Sequence, residues 1–297
     1  MSQETADDNS LPLGGLPTAS VVGVATAETP IVVPQQKGAA LEPDHSSISW
    51  PKTVFVCGTP FSCVDMEGAV ELSDAIVQHR EPRYIVTANV NYLMLQKENP
   101  RLREVSHEAA VMLADGNPIV WSSRVKRNPL PERVAGSDLI VELAKLSAKK
   151  GYRIFFLGGA DGVAETAAAE LKERFPDFQI AGCYSPPFRK LSDTEHTEML
   201  AQIRDAQTDI LLVAFGQPKG ELWIYDNLQE LGVPLSIQLG ASFDFLAGTA
   251  KRAPAVWQKF GCEWLYRAFA DPQRLIPRYA KNLLFVLTTM SRDMLAR

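Results

Sequence analysis

Residues 210–221 read Ile-Leu-Leu-Val-Ala-Phe-Gly-Gln-Pro-Lys-Gly-Glu. Six apolar residues run without a polar break and stop at a glycine. An apolar run of this length suits a strand buried on both faces, as in a parallel sheet covered by helices. The glycine frees the backbone at the strand exit, and Pro218 fits the first turn of a following helix. The unit is strand, tight loop, helix.

The same unit recurs on either side. Further short apolar runs lie at Thr53–Val56, Tyr84–Val86, Val111–Ala114, Tyr152–Leu157, Phe178–Gly182 and Leu235–Leu239. Helical patterns fill the intervals at about 66–80, 89–98, 117–126, 137–150, 160–175, 192–206 and 219–231. Leu139, Leu143 and Leu146 share one helix face, and Ser192 with Glu195 forms the pattern of a capping box. This alternation predicts an α/β fold: a doubly wound, largely parallel sheet with helices on both faces. Ligands of such sheets bind beyond the carboxyl ends of the strands.

Composition sets the outer limits. The chain has 297 residues, 46% of them hydrophobic and 22% charged, which is ample for a core. Its net charge of −5 speaks against nucleic acid as a partner. Four cysteines, at 57, 63, 183 and 262, form no C-x-x-C pair and are too sparse for a disulfide scaffold. The four histidines lack zinc-ligand spacing. The start is acidic and polar, unlike a secretion signal, and no apolar run reaches the ~18 residues of a membrane span. A cytoplasmic protein is expected.

Charge divides the chain. Residues 1–50 carry a net −5 and are rich in Ser, Thr, Pro, Gly and Ala, which predicts a disordered leader. Residues 51–250 form the α/β core. Residues 251–297 carry a net +6 and mix Trp257, Trp264, Tyr266, Phe269 and Tyr279 with Lys259, Arg267, Arg274, Arg278 and Lys281. Pro272 and Pro277 predict short helices there rather than one rod. Basic residues among aromatic ones suit an anionic membrane surface, or a helical appendage with a solvated basic face.

The strand ends hold the polar residues. After Tyr84-Ile85-Val86 come Thr87-Ala88-Asn89, readable as helix caps or as site residues. After Val111–Ala114 comes Asp115-Gly116, a turn signal that also places a carboxylate where a general base could stand. Gly158-Gly159 follows Phe155-Phe156-Leu157 and fits either a phosphate cradle or a tight turn. Gly216, Gln217, Lys219 and Glu221 follow the fourth such strand, and Gly240 and Asp244 the last. Arg133, just before Gly136-Ser137, is a fork for phosphate oxygens or a surface arginine. The chain contains no Asp-x-Asp, the pair with which many nucleotide-sugar enzymes hold a divalent ion.

Taken in order, these segments resemble the WecG/TagA/CpsF family of inverting glycosyltransferases over about residues 53–282. The motifs are Gly58-Thr59-Pro60, Thr87-Ala88-Asn89, Ala114-Asp115-Gly116, Glu132 to Asp138, Phe156 to Gly159, Phe215 to Lys219, Gly240 to Gly248, Lys251 to Pro254 and Glu263 to Arg267. The resemblance implies transfer of a sugar from a UDP-sugar to a polyprenyl-diphosphate-linked saccharide. It implies no metal or other cofactor, and a peripheral place on the inner membrane face during surface polysaccharide assembly. It implies Asp115 as the base, with Thr87, Asn89 and Arg133 lining the reaction centre. It makes Arg267, Arg274 and Arg278 the basic residues that an appendage brings to the site. Gly158, Gly159, Gly216, Gln217, Lys219, Glu221, Gly240 and Asp244 are then the donor-binding candidates. Two positions depart from the family pattern: Gly220 where a Gln is common, and Gln238 where a small residue is usual. Homo-oligomerisation stays open. The competing readings are a nucleotide-binding oxidoreductase, for which neither a dinucleotide fingerprint nor a ribose acid is evident, and a non-catalytic nucleotide-binding or scaffold protein of a polysaccharide assembly complex.

Overall fold

The computed structural model describes residues 48–254, Trp257, 263–270 and 272–295. The predicted leader falls almost wholly outside the described residues.

The described residues hold eight strands: β1 (Thr53–Val56), β2 (Thr59–Ser62), β3 (Arg83–Ala88), β4 (Val111–Ala114), β5 (Arg153–Gly158), β6 (Gln179–Tyr184), β7 (Ile210–Ala214) and β8 (Leu235–Gln238). Six of them form one parallel sheet in the order β4-β3-β8-β7-β5-β6. Alternation along each strand sends side chains to opposite faces. Leu211 and Val213 join Tyr84, Val86, Met112 and Phe155 on one side, against α2 (Val90–Glu98), α3 (Pro100–Glu108), α4 (Asn117–Ser123), α7 (Asp193–Asp205) and α8 (Lys219–Leu231). Ile210 and Leu212 join Ile85, Leu113, Phe156 and Ile237 on the other, against α1 (Met66–His79), α5 (Gly136–Lys150) and α6 (Val163–Arg174). Each such buried Leu or Ile contributes about 1.5–3 kcal/mol. The doubly wound expectation holds, and the Ser192–Glu195 capping box is present at the start of α7.

The first predicted strand is the exception. It pairs antiparallel with β2 and stays out of the main sheet. Cys57 and Gly58 both have positive φ (52° and 77°), as a two-residue type I′ hairpin turn requires. The hairpin shields the edge of the sheet, where the Ser62 hydroxyl accepts from the outward Met112 N–H at 3.2 Å. Helix α3 was also unforeseen. It is polar nearly throughout, and its signal is the cap: Asn99 accepts from the Arg101 and Leu102 N–H groups ahead of Pro100.

Past β8 come α9 (Ser242–Leu246) and, towards the C-terminus, α10 (Glu263–Ala270), α11 (Pro272–Phe285) and α12 (Ser291–Leu295), the last two joined by a π-helical turn, Val286–Met290. Pro272 opens a helix as expected, but Pro277 lies inside α11 instead of ending it. Gln273, whose carbonyl loses its partner to the proline, is exposed to water. Phe285 and Met290 are buried in the core.

Candidate active site

Parallel strands deliver all their exits to one rim. Ala88 stands opposite Ala114, Val86 and Val213 flank Gln238, and Gly158 stands opposite Ala214. The segments after β3, β4, β8, β7 and β5 therefore line one edge of the sheet, where the strand order reverses.

Asp115 is the first residue beyond β4. Its N–H donates to the Ala88 carbonyl at 2.8 Å, which ties it to the neighbouring strand. The next residue, Gly116, lies under Asn89, and a Cβ there would sit 3.8 Å from the Asn89 Cα. Asn89 caps α2 by accepting from the Tyr92 N–H at 3.2 Å. Thr87 is buried and donates to the Gln238 carbonyl at 3.2 Å. Gly136, at the start of α5, packs against Thr87 Oγ1 and Leu239, and its N–H donates to the Asp115 carboxylate. Thr87, Asn89, Asp115 and Arg133 thus converge as the sequence predicts, and the first two also hold the rim together.

Charge around Asp115 is crowded. Arg133 Nη1 is 3.9 Å from Asp115 Oδ1 and 3.4 Å from Glu263 Oε2, while its Nη2 is 3.9 Å from Asp138 Oδ2. Arg252 takes Asp138 with two bonds, of 2.7 and 2.8 Å. Burial pushes the Asp115 carboxyl up to about 7; Arg133 and the Gly136 N–H pull it down, and Glu263 and Asp138 push it up. Its side chain keeps 27% of its surface, so an incoming hydroxyl can still reach it. Glu263, Asp138 and Arg252 were not foreseen as site residues. Glu263 is 130 residues from Arg133, and nothing local to either residue announces the pairing.

The remaining candidates divide by exposure. Gly158 has φ 100°, and a Cβ there would meet Phe215 at 2.8 Å and the Ala214 backbone at 3.0 Å, so the loop tolerates only glycine. Gly159 donates to the Ala214 carbonyl at 3.2 Å. Gln217 donates to the Thr87 carbonyl at 3.3 Å. Lys219 is exposed at the start of α8. Glu221 is 1% exposed; burial pushes its carboxyl up to about 7, while the Gln217 side chain and its own N–H pull it down. The Asp244 carboxylate accepts from Thr249 at 3.2 Å and closes the turn after α9. Arg278 is exposed on α11. Arg267 lies on α10 and Arg274 on α11, but their side chains are outside the described residues.

The two departures, Gly220 and Gln238, touch. A Cβ at Gly220 would fall 2.5 Å from the Gln238 Cδ. With the amide assigned to satisfy its neighbours, Gln238 donates to the Val213 carbonyl at 2.6 Å and accepts from the Gly216 and Gly240 N–H groups at 3.2 and 3.3 Å. One buried amide therefore braces both glycine loops and occupies the space of the missing side chain at 220.

Beyond this geometry, comparison with known proteins is decisive. The model of the glycosyl transferase WecG/TagA/CpsF family matches residues 54–297. The chain belongs to this family. Its members in Bacillus spizizenii and Staphylococcus aureus named N-acetylglucosaminyldiphosphoundecaprenol N-acetyl-beta-D-mannosaminyltransferase are 32% and 29% identical to it. The first alignment covers 72% of this chain and 83% of the relative, the second 65% and 74%. The chain is a glycosyltransferase, and the rim is where its strands place reactive groups. A groove of about 320 Å³ lies between α2 and α11, lined by Asn91, Met94, Glu98, Arg278 and Lys281 among others. Among the described residues no helix is long and apolar enough to cross a membrane.

Proposed function

We propose that this glycosyltransferase moves a hexosyl group from a UDP-sugar to a polyprenyl-diphosphate-linked saccharide, with inversion and without a metal ion, in surface polysaccharide assembly of the exopolysaccharide or teichoic acid type. The observation that carries the reading is the Asp115 carboxyl at the rim, 3.9 Å from the Arg133 guanidinium and pushed by burial up to about 7. A general base works best when its pKa lies near the operating pH, and one so placed contributes roughly 10²–10⁴-fold. The acceptor is the class named in the relatives' activity.

Inversion takes one in-line displacement. The acceptor oxygen bonds to the anomeric carbon as its proton passes to Asp115. The bond from that carbon to the diphosphate oxygen breaks on the far face, and its electron pair leaves with UDP. Thr87 and Asn89 shape the floor on the acceptor side. Lys219 at the start of α8 is the group assigned to the donor's charge, because the N–H groups of Gly159, Gly216 and Gly240 are already donated inside the rim, to the Ala214 carbonyl and the Gln238 amide. Arg133 and the basic residues of the C-terminal helices supply further positive charge.

The acceptor is membrane-bound, so the enzyme must work at a bilayer. Trp264, Phe269, Ile276, Leu283, Leu284, Leu287 and Leu295 are exposed on α10, α11, the π-turn and α12, with Arg278, Lys281 and Arg292 exposed among them. This mixture supports peripheral contact with the anionic inner face of the membrane.

The test is Asp115→Asn. It should keep UDP binding by calorimetry and abolish transfer to a lipid-linked acceptor; retained transfer removes Asp115 as the base. A panel of UDP-sugars read by mass spectrometry assigns the donor. EDTA should leave turnover unchanged, and a strict metal requirement overturns the metal-free reading.

A further inference from the structure

One guanidinium nitrogen serves two carboxylates. Arg133 Nη1 lies 3.4 Å from Glu263 and 3.9 Å from Asp115. The nearer partner is therefore not the rim carboxylate but a residue on the first turn of α10. Glu263 is well covered there, with 14% of its side chain exposed. Among the described residues four charged groups face Asp115: Arg133 from the loop ahead of α5, Asp138 from α5, Arg252 from the segment after α9, and Glu263 from α10. Arg252 is the closer partner of Asp138, at 2.7 and 2.8 Å against 3.9 Å from Arg133, so the Arg133 nitrogen Nη1 is left to Glu263 and Asp115.

We propose that Glu263 is a positioning residue for Asp115: it holds the Arg133 guanidinium off the rim carboxylate. This rests on the reading of Asp115 as the base. A carboxylate in a close arginine pair is stabilised in its charged form and becomes a weak proton acceptor. With Glu263 seated, the arginine is drawn away and the repulsion between the two acids keeps the Asp115 proton affinity high. With Glu263 withdrawn, the 3.9 Å gap is free to close and the base is quenched.

Full-length enzyme labelled with carbon-13 at the Asp carboxyl carbons tests this, with the Asp115 resonance identified by its loss in Asp115→Asn. In Glu263→Gln the Asp115 ionisation constant should rise about tenfold, a midpoint lower by roughly one pH unit. The acid limb of the kcat/KM profile on a lipid-linked acceptor should move down with it. Glu263→Asp, which keeps the charge, should restore the wild-type midpoint. Glu263→Met repeats the measurement should the amide variant not fold. An unmoved midpoint, or a loss of rate uniform across pH, makes Glu263 a mere anchor and overturns the proposal. If Asp115→Asn retains transfer, the base reading fails, while the titration still reports whether Glu263 holds Arg133 away.

Discussion

Arg133 approaches Asp115 to 3.9 Å and no closer, leaving a carboxylate with a cation in view but not in contact. That spacing lets one acid be half-ionised near neutrality without being locked as an ion pair. Replacing the cation should move the titration opposite to replacing Glu263. In Arg133→Met the acid limb of kcat/KM should shift upward, with a roughly tenfold fall near pH 6.5 that shrinks by pH 8.5. An acid limb unchanged in position rules out Arg133 as the group that tempers Asp115.

The same carboxyl makes stability depend on pH. Its folded-state pKa, about 7, lies above the unfolded value of about 3.9, so the folded state holds a proton that the unfolded chain releases. Stability therefore falls as pH rises from about 4 to 7, and the loss is complete above 7. Asp115→Asn removes that term. The variant should be more stable than wild type at pH 8, by on the order of 2–4 kcal/mol, and indistinguishable at pH 4. Equal denaturation midpoints at pH 8 contradict the burial assigned to this group.

Glu221 makes a parallel case away from the reacting atoms. It is buried, and burial pushes it up to about 7 against the pull of the Gln217 side chain and its own N–H. Ionising it there is unfavourable, so Glu221→Gln should stabilise the fold by a few kcal/mol at pH 8 and have little effect at pH 4. Destabilisation at pH 8 shows instead that the contacts with Gln217 and the backbone outweigh the cost of burial.

Gly220 and Gln238 should behave as one unit. Gly220→Ala forces a methyl onto the buried amide and should cost about 1–3 kcal/mol. Gln238→Ala strips the bonds to Val213, Gly216 and Gly240. The double variant should lose less than the sum of the two, with a coupling of about 1 kcal/mol or more in urea denaturation. Additivity removes the steric link.

The exposed leucines of the C-terminal helices test membrane contact without touching the core. Leu283, Leu284 and Leu287 are exposed, whereas Phe285 and Met290 nearby are buried. Changing the three leucines to serine should leave the melting temperature within a few degrees and sharply lower cosedimentation with anionic vesicles. Undiminished vesicle binding puts the contact elsewhere.

Much of this was legible in the sequence because it is local. The apolar runs mark strands buried on both faces, and parallel order follows from the helices between them. Since every parallel strand ends at the same rim, residues such as Thr87, Asn89 and Asp115 could be placed together without coordinates. Three features were not legible. The β1–β2 hairpin depends on positive φ at Cys57, a residue with no turn signature. Helix α3 is too polar to show a periodic face. The contacts of Arg133 with Glu263 and of Gly220 with Gln238 are tertiary, and neither partner's neighbours encode them.

The Gly220–Gln238 contact also gives descent a direction. A lineage leaving this arrangement must first shrink the residue at 238 and only then can it enlarge the one at 220, because the reverse order passes through a crowded interior. Relatives carrying a large side chain at both positions should be rare, and an ancestor reconstructed between the two states should be small at both.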